Sequence, residues 1–159
     1  CKGKDYGVIR KCQEMVSKCV PNVWMTTSGD VGMRWDIHPK NKKTIGERLA
    51  LLARGHVYWE KIQCDPPEIT DFRKEAGNII LVFYNGDGLF VAGKEVNAMI
   101  LLDENGKKLK IQGFEVHDNK LLLHGVDSTQ KIEFAQEDYY EVNLYNTSRI
   151  PAKPFTYKF

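Results

Sequence analysis

No apolar run in the 159 residues approaches the roughly 20 that a membrane helix requires, so no spanning helix is expected. No secretory leader opens the chain either. It begins at Cys1 rather than Met, which reads as a processing site, a cloning boundary or a fragment end; a mature lipoprotein start has only that one residue behind it. Cys1, Cys12, Cys19 and Cys64 contain no CxxC spacing, which argues against a zinc site. Cys12 and Cys19 lie two turns apart on an expected helix, roughly 10 Å, too far for a disulfide. Free thiols on the buried side of that helix are the expectation. No block of basic residues extends beyond Lys40-Asn41-Lys42-Lys43, and 23 basic against 21 acidic residues leave a formal charge of +2. Nucleic acid and anionic membranes are therefore disfavoured as partners. The serines are Ser17, Ser28, Ser128 and Ser148, and none follows the Gly-x-Ser pattern of a nucleophile elbow.

Hydrophobic residues (42%) and charged residues (28%) are ordinary for a globular domain, and the length permits one domain or two small pieces. Residues 5–19 carry Val8, Ile9, Cys12, Met15, Val16 and Cys19 at steps of three and four, the period of a helix with one apolar face. Residues 23–27, Val-Trp-Met-Thr-Thr, have strand composition. A loop over 28–32 leads to Asp36 and His38. Pro39 suits the first turn of a second helix running to about Tyr58, with Ile45, Leu49, Leu52, Ala53 and Val57 inward. Arg48, with Lys42, Glu47 and Arg54, is expected to point outward or to pair. Helix, strand, loop and helix in that order imply an α/β remnant over 1–63. After Cys64-Asp65-Pro66-Pro67 the composition changes to short strands and turns over 64–159. Strands are expected at 78–84, 95–102, 107–114, 120–124 and 130–134, with an irregular aromatic tail, which suggests an antiparallel β-sandwich-like segment.

Asp-Ile-His-Pro-Lys-Asn-Lys at 36–42, followed by Ile-Gly-Glu-Arg-Leu-Ala-Leu at 45–51, resembles the stretch that carries the catalytic histidine of the sialate O-acetylesterase family. Asn143-Leu144-Tyr145-Asn146 and 150–155, Ile-Pro-Ala-Lys-Pro-Phe, resemble that family's closing segment. These are SGNH-type serine esterases that remove acetyl groups from sugars. The resemblance implies that this chain is the C-terminal portion of such an enzyme, with His38 as general base and an acetylated carbohydrate as substrate. It implies no metal or organic cofactor, an N-terminal part of the same enzyme as partner, and an extracytoplasmic setting, periplasmic, secreted or lysosomal. Asp36 is the candidate partner of His38, although the family's acid commonly stands three residues before the histidine, where this chain has Trp35. Asp30 or a backbone carbonyl are the alternatives. The family's serine belongs to an upstream Gly-Gln-Ser-Asn-like turn that this chain does not contain, and Ser28 is the least unsuitable of those present. Asn143 and Tyr145 match the family segment without a chemical role.

Competing readings stay open at this level. An Asp-x-His on a loop is most often a satisfied surface pair. Trp24, Trp35 and Trp59 are most often core, with Trp35 the one candidate for a substrate-pocket wall. His56 is expected to be packed or solvated, and His117 and His124 have no ligand-like spacing. A non-catalytic β module that binds sugar or a partner is the principal alternative to the esterase. A separated subunit, active only with its N-terminal counterpart, is the third.

Overall fold

The computed structural model describes residues 6–159. Cys1, and any role for it, lies outside the described residues. Two helices come first, α1 (Tyr6–Cys19) and α2 (Lys42–His56), and neither is long and apolar enough to cross a membrane. Ten strands follow: β1 (Glu68–Glu75), β2 (Asn78–Tyr84), β3 (Phe90–Val91), β4 (Met99–Leu102), β5 (Lys108–Leu109), β6 (Gly113–His117), β7 (Lys120–His124), β8 (Lys131–Phe134), β9 (Leu144–Tyr145) and β10 (Phe155–Lys158). One sheet has the order β1-β2-β7-β6 and the second β10-β8-β4-β5, with a small β3-β9 ribbon. Every pairing is antiparallel.

The core follows from period-two alternation. On β2, Ile79, Leu81 and Phe83 are fully buried, while Ile80 and Val82 are only partly covered. Leu121 and Leu123 of β7 join them from the neighbouring strand. Leu101, Ile132 and Phe134 of the second sheet pack into the same cluster, which makes a two-layer sandwich. Burying each such side chain stabilises the fold by about 1.5–3 kcal/mol. The β1–β2 hairpin turns at Ala76 and Gly77, both at positive φ (48° and 79°), the primed-turn geometry that matches the twist of the flanking strands.

The α/β remnant is not found. Residues 23–27 form no strand, and the described residues contain no parallel pair. A strand is stable only where a neighbour takes up its backbone N–H and C=O groups, and no described segment forms a backbone ladder with 23–27. That stretch is instead held by isolated contacts: the Thr27 hydroxyl donates to the Pro151 carbonyl (2.8 Å), and the Arg48 guanidinium donates to the Thr27 carbonyl (3.0 Å). The architecture is two helices set against an antiparallel sandwich.

The helices also differ from expectation in what they bury. On α1 the apolar stripe exists, but Val8, Ile9, Cys12, Met15, Val16 and Cys19 all face solvent. The polar side of α1 meets the sandwich instead. Arg10 donates to the Glu137 carbonyl (2.6 Å) and lies over the Tyr140 ring at 4.8 Å, and Lys18 pairs with Glu68 at 2.7 Å. Cys12 and Cys19 are therefore exposed free thiols, and among the described cysteines only Cys64 is buried. On α2, Leu52 is buried as expected, Leu49 and Val57 are exposed, and Arg48 points inward.

Candidate functional site

The loop between α1 and α2 carries Asp36 and His38. A tight turn brings Met33 and Asp36 into a single antiparallel bridge, with Asp36 N–H donating to the Met33 carbonyl (3.4 Å). Asp36 Oδ1 then accepts the His38 backbone N–H at 2.8 Å and lies 3.2 Å from His38 Nδ1. The backbone bond from His38, foremost, together with the imidazole bond, holds the Asp36 carboxyl below its ordinary range. One carboxylate thus fixes both the main chain and the ring of the residue two positions on. With Nδ1 engaged, Nε2 is the ring nitrogen left to exchange a proton. The His38 side chain is 79% exposed.

Pro39 does not occupy the first turn of α2. The helix starts at Lys42, and Asn41 caps it by accepting the Thr44 N–H (3.2 Å). His38 therefore stands ahead of the cap, outside the first turn where the helix dipole is felt.

Trp35 is 91% exposed on the same turn, so it is no core residue. The Arg34 guanidinium lies 6.0 Å from its ring and 5.5 Å from that of Tyr139. Trp59 is likewise exposed, and Trp24 stacks on His56. Ile37 and Met33 are exposed as well, which leaves His38 on an apolar, open surface.

Asp30 is committed elsewhere. Both its oxygens take the Arg48 guanidinium, at 2.8 and 2.6 Å. Arg48 also donates to the Thr27 and Arg149 carbonyls, each at 3.0 Å, with only 5% of its side chain exposed. This buried fork anchors the start of the His38 loop to α2 and to the closing segment. The side-chain periodicity of α2 gave no sign of it, since an arginine on a surface helix ordinarily faces water. Ser28 is exposed, and among the described residues no serine hydroxyl bonds to His38.

The asparagines of the closing segment are structural. Asn143 accepts the Asn97 N–H (2.8 Å) and donates to the Ala92 and Glu95 carbonyls (3.1 and 2.8 Å). Asn146, fully buried, donates to the Asp65 and Asn85 carbonyls and accepts the Ile150 N–H. Tyr145 donates to the Val142 carbonyl at 3.2 Å; burial, then the nearby Asp30 carboxylate, push its phenol up to about 12.

A cleft of 380 Å³ separates α1 from the sandwich, between Arg10, Thr26, Glu68 and Tyr140. No residue of the 33–41 turn lines it. The buried Arg10 Nε and Thr26 Oγ1 beside it have no hydrogen-bond partner among the described residues. The geometry of a proton-transfer pair is therefore found on the open surface and not in this cleft.

No protein-family model matches the chain, and no curated protein does. Among solved structures, the crystal structure of a carbohydrate acetylesterase from Xanthomonas citri is similar in fold, with a TM-score of 0.81 and 22% sequence identity. The likeness covers 98% of this chain and 37% of that protein.

Proposed function

We propose that this chain is the C-terminal part of a serine-type carbohydrate O-acetylesterase of the sialate O-acetylesterase kind, and that His38 is its general base. The observation that carries the reading is the Asp36–His38 pair, one carboxylate oxygen 3.2 Å from Nδ1 on an exposed turn with Nε2 free to act. The fold shared with a carbohydrate acetylesterase supports it, as do the two sequence blocks at 36–51 and 143–155.

A serine hydroxyl on another stretch of polypeptide attacks the acetyl carbonyl while His38 Nε2 takes its proton. Asp36 stabilises the imidazolium that forms. The tetrahedral intermediate collapses, the C–O bond to the sugar breaks, and His38 returns the proton to the departing sugar hydroxyl. Water activated by His38 then attacks the acetyl-serine, releasing acetate and restoring the serine. Amides outside this chain hold the oxyanion. Trp35 offers its exposed ring as a wall for the sugar.

The partner that brings the serine is the N-terminal part of the same enzyme, on the same or a separate chain. The apolar stripe of α1, with Leu49 of α2 and Val57 just past its end, is uncovered surface of the kind such a part buries. The test is turnover of an aryl acetate. The chain alone is expected to be inert, and joined to the polypeptide encoded upstream it is expected to hydrolyse the ester. Turnover by the isolated chain that disappears in Ser28→Ala contradicts the placement of the nucleophile elsewhere.

A further inference from the structure

At the far end of α2 a second cluster forms that the ester chemistry does not use. His56 Nε2 lies 2.9 Å from Asp65 Oδ1, and the Cys64 thiol is directed at Asp65 Oδ2, 3.6 Å away. The three potential donor atoms all lie within 4.8 Å of one another. We propose that His56, Cys64 and Asp65 bind one divalent transition-metal ion of the zinc class, clamping the end of α2 to the segment that leads into β1.

Donor chemistry selects the ion. An imidazole nitrogen, a thiolate and a carboxylate form a mixed N/S/O set that suits zinc and its chemical relatives, not calcium or magnesium, which take oxygen. Zinc bonds of about 2.0–2.3 Å place tetrahedral ligands roughly 3.3–3.8 Å apart, so His56 and Asp65, now 2.9 Å apart, open by a few tenths of an ångström while the wider separations, at most 4.8 Å, close. In the metal-free arrangement Asp65 is approached by both an imidazole and a thiol; the ion takes the place of the hydrogens between them. One thiolate and one carboxylate balance its two positive charges, and the thiol proton leaves to solvent. A water completes the fourth position.

The surroundings are prepared for such a site. The Trp24 ring stacks on His56 at 4.7 Å and 9°, fixing the plane of the imidazole. Asn146 holds the Asp65 backbone carbonyl at 3.0 Å. Gly55, in the last turn of α2, leaves room for the sulfur, since a Cβ there would overlap the Cys64 sulfur. Sequence spacing gave no hint, because the ligands stand at 56, 64 and 65 with no CxxC or HxxxH signature. The inference is independent of the ester-hydrolysis reading.

The experiment is a cobalt(II) titration of the whole chain in a background with Cys1, Cys12 and Cys19 changed to Ser. The expected result is a thiolate-to-cobalt charge-transfer band that saturates at one ion per chain and is displaced by zinc. Cys64→Ser should abolish the band, and His56→Gln, which keeps a polar side chain of similar size beside Asp65, should weaken binding by roughly tenfold or more. Far-ultraviolet circular dichroism checks folding, and if Cys64→Ser unfolds the chain, His56→Gln alone decides. No band in the parent, or equal affinity in His56→Gln, overturns the site.

Discussion

Removing Arg48 should destabilise this domain more than any other single change to a charged side chain. Its guanidinium makes four hydrogen bonds: two to Asp30, one to the Thr27 carbonyl and one to the Arg149 carbonyl. The two charged side chains are only 5% and 10% exposed. Arg48→Ala leaves the Asp30 carboxylate buried without its partner, which costs about 3–5 kcal/mol. With a urea m-value near 2 kcal/mol/M, the unfolding midpoint should fall by roughly 1.5–2.5 M. The companion variants are Arg48→Met, Asp30→Leu and the double variant Arg48→Met/Asp30→Leu. Because each single change strands the other charge, the double variant should fall short of the summed losses by about 1 kcal/mol or more. A loss below about 1 kcal/mol for Arg48→Ala, or strict additivity of the pair, refutes the claim that this fork holds the start of the His38 loop.

Asn146→Ala removes three side-chain bonds, two that join the closing segment to the residue 65 and 85 carbonyls and one from Ile150 N–H within that segment, and should cost about 2–4 kcal/mol in urea unfolding. In the metal-free native chain, iodoacetamide at about pH 8 should label Cys12 and Cys19 and spare Cys64. Burial, then the adjacent Asp65 carboxylate, push the Cys64 thiol up to about 11, and peptide mapping reads the difference. Glu68 joins Lys18 of α1 to Lys153 of the tail. Burial opposes its charge, but the bonds from Lys153 and Lys18 prevail and hold its carboxyl below the ordinary range. A lowered folded value means that Glu68 stabilises the native state fully above about pH 4.3 and progressively less as pH falls through that lower value. Acid unfolding followed by circular dichroism should therefore be shallower for Glu68→Gln, and an unchanged acid limb contradicts the pairing.

The strands that could be read from the chain are the central ones. Asn78–Tyr84 and Lys120–His124 coincide with the runs that alternation marks out, because both are flanked by neighbours and bury one face completely. β1 and β10 were missed for the opposite reason. They are edge strands, and Asp71, Arg73 and Lys74, or Thr156 and Lys158, give them the polar look that keeps an edge from pairing with another molecule. Residues 95–102 and 107–114, expected as whole strands, pair only in part, and Phe90–Val91 finds its partner in the tail at Leu144–Tyr145.

Periodicity reports that a helix has an apolar side but not what covers it. On α1 that side faces solvent, and on α2 the buried position at the middle of the helix is an arginine. The composition of 23–27 suited a strand, yet no neighbour supplies the ladder, so the α/β expectation failed on partnership and not on propensity. At the candidate site, Asp36 and His38 stand two residues apart in the sequence, and the Asx-type bond to the His38 N–H brings the carboxylate alongside the ring. The His56, Cys64 and Asp65 cluster and the Arg48 fork depend on contacts that no local pattern encodes.

The most direct measurement is acetate release from an O-acetylated sialic acid by the chain joined to its upstream polypeptide, with His38→Ala beside the parent. The expected result is a fall in kcat/KM of several orders of magnitude with the unfolding midpoint unchanged, because among the described residues the exposed His38 ring bonds only to Asp36. A His38→Ala enzyme that keeps near-parental kcat/KM contradicts the assignment of this imidazole as the proton carrier.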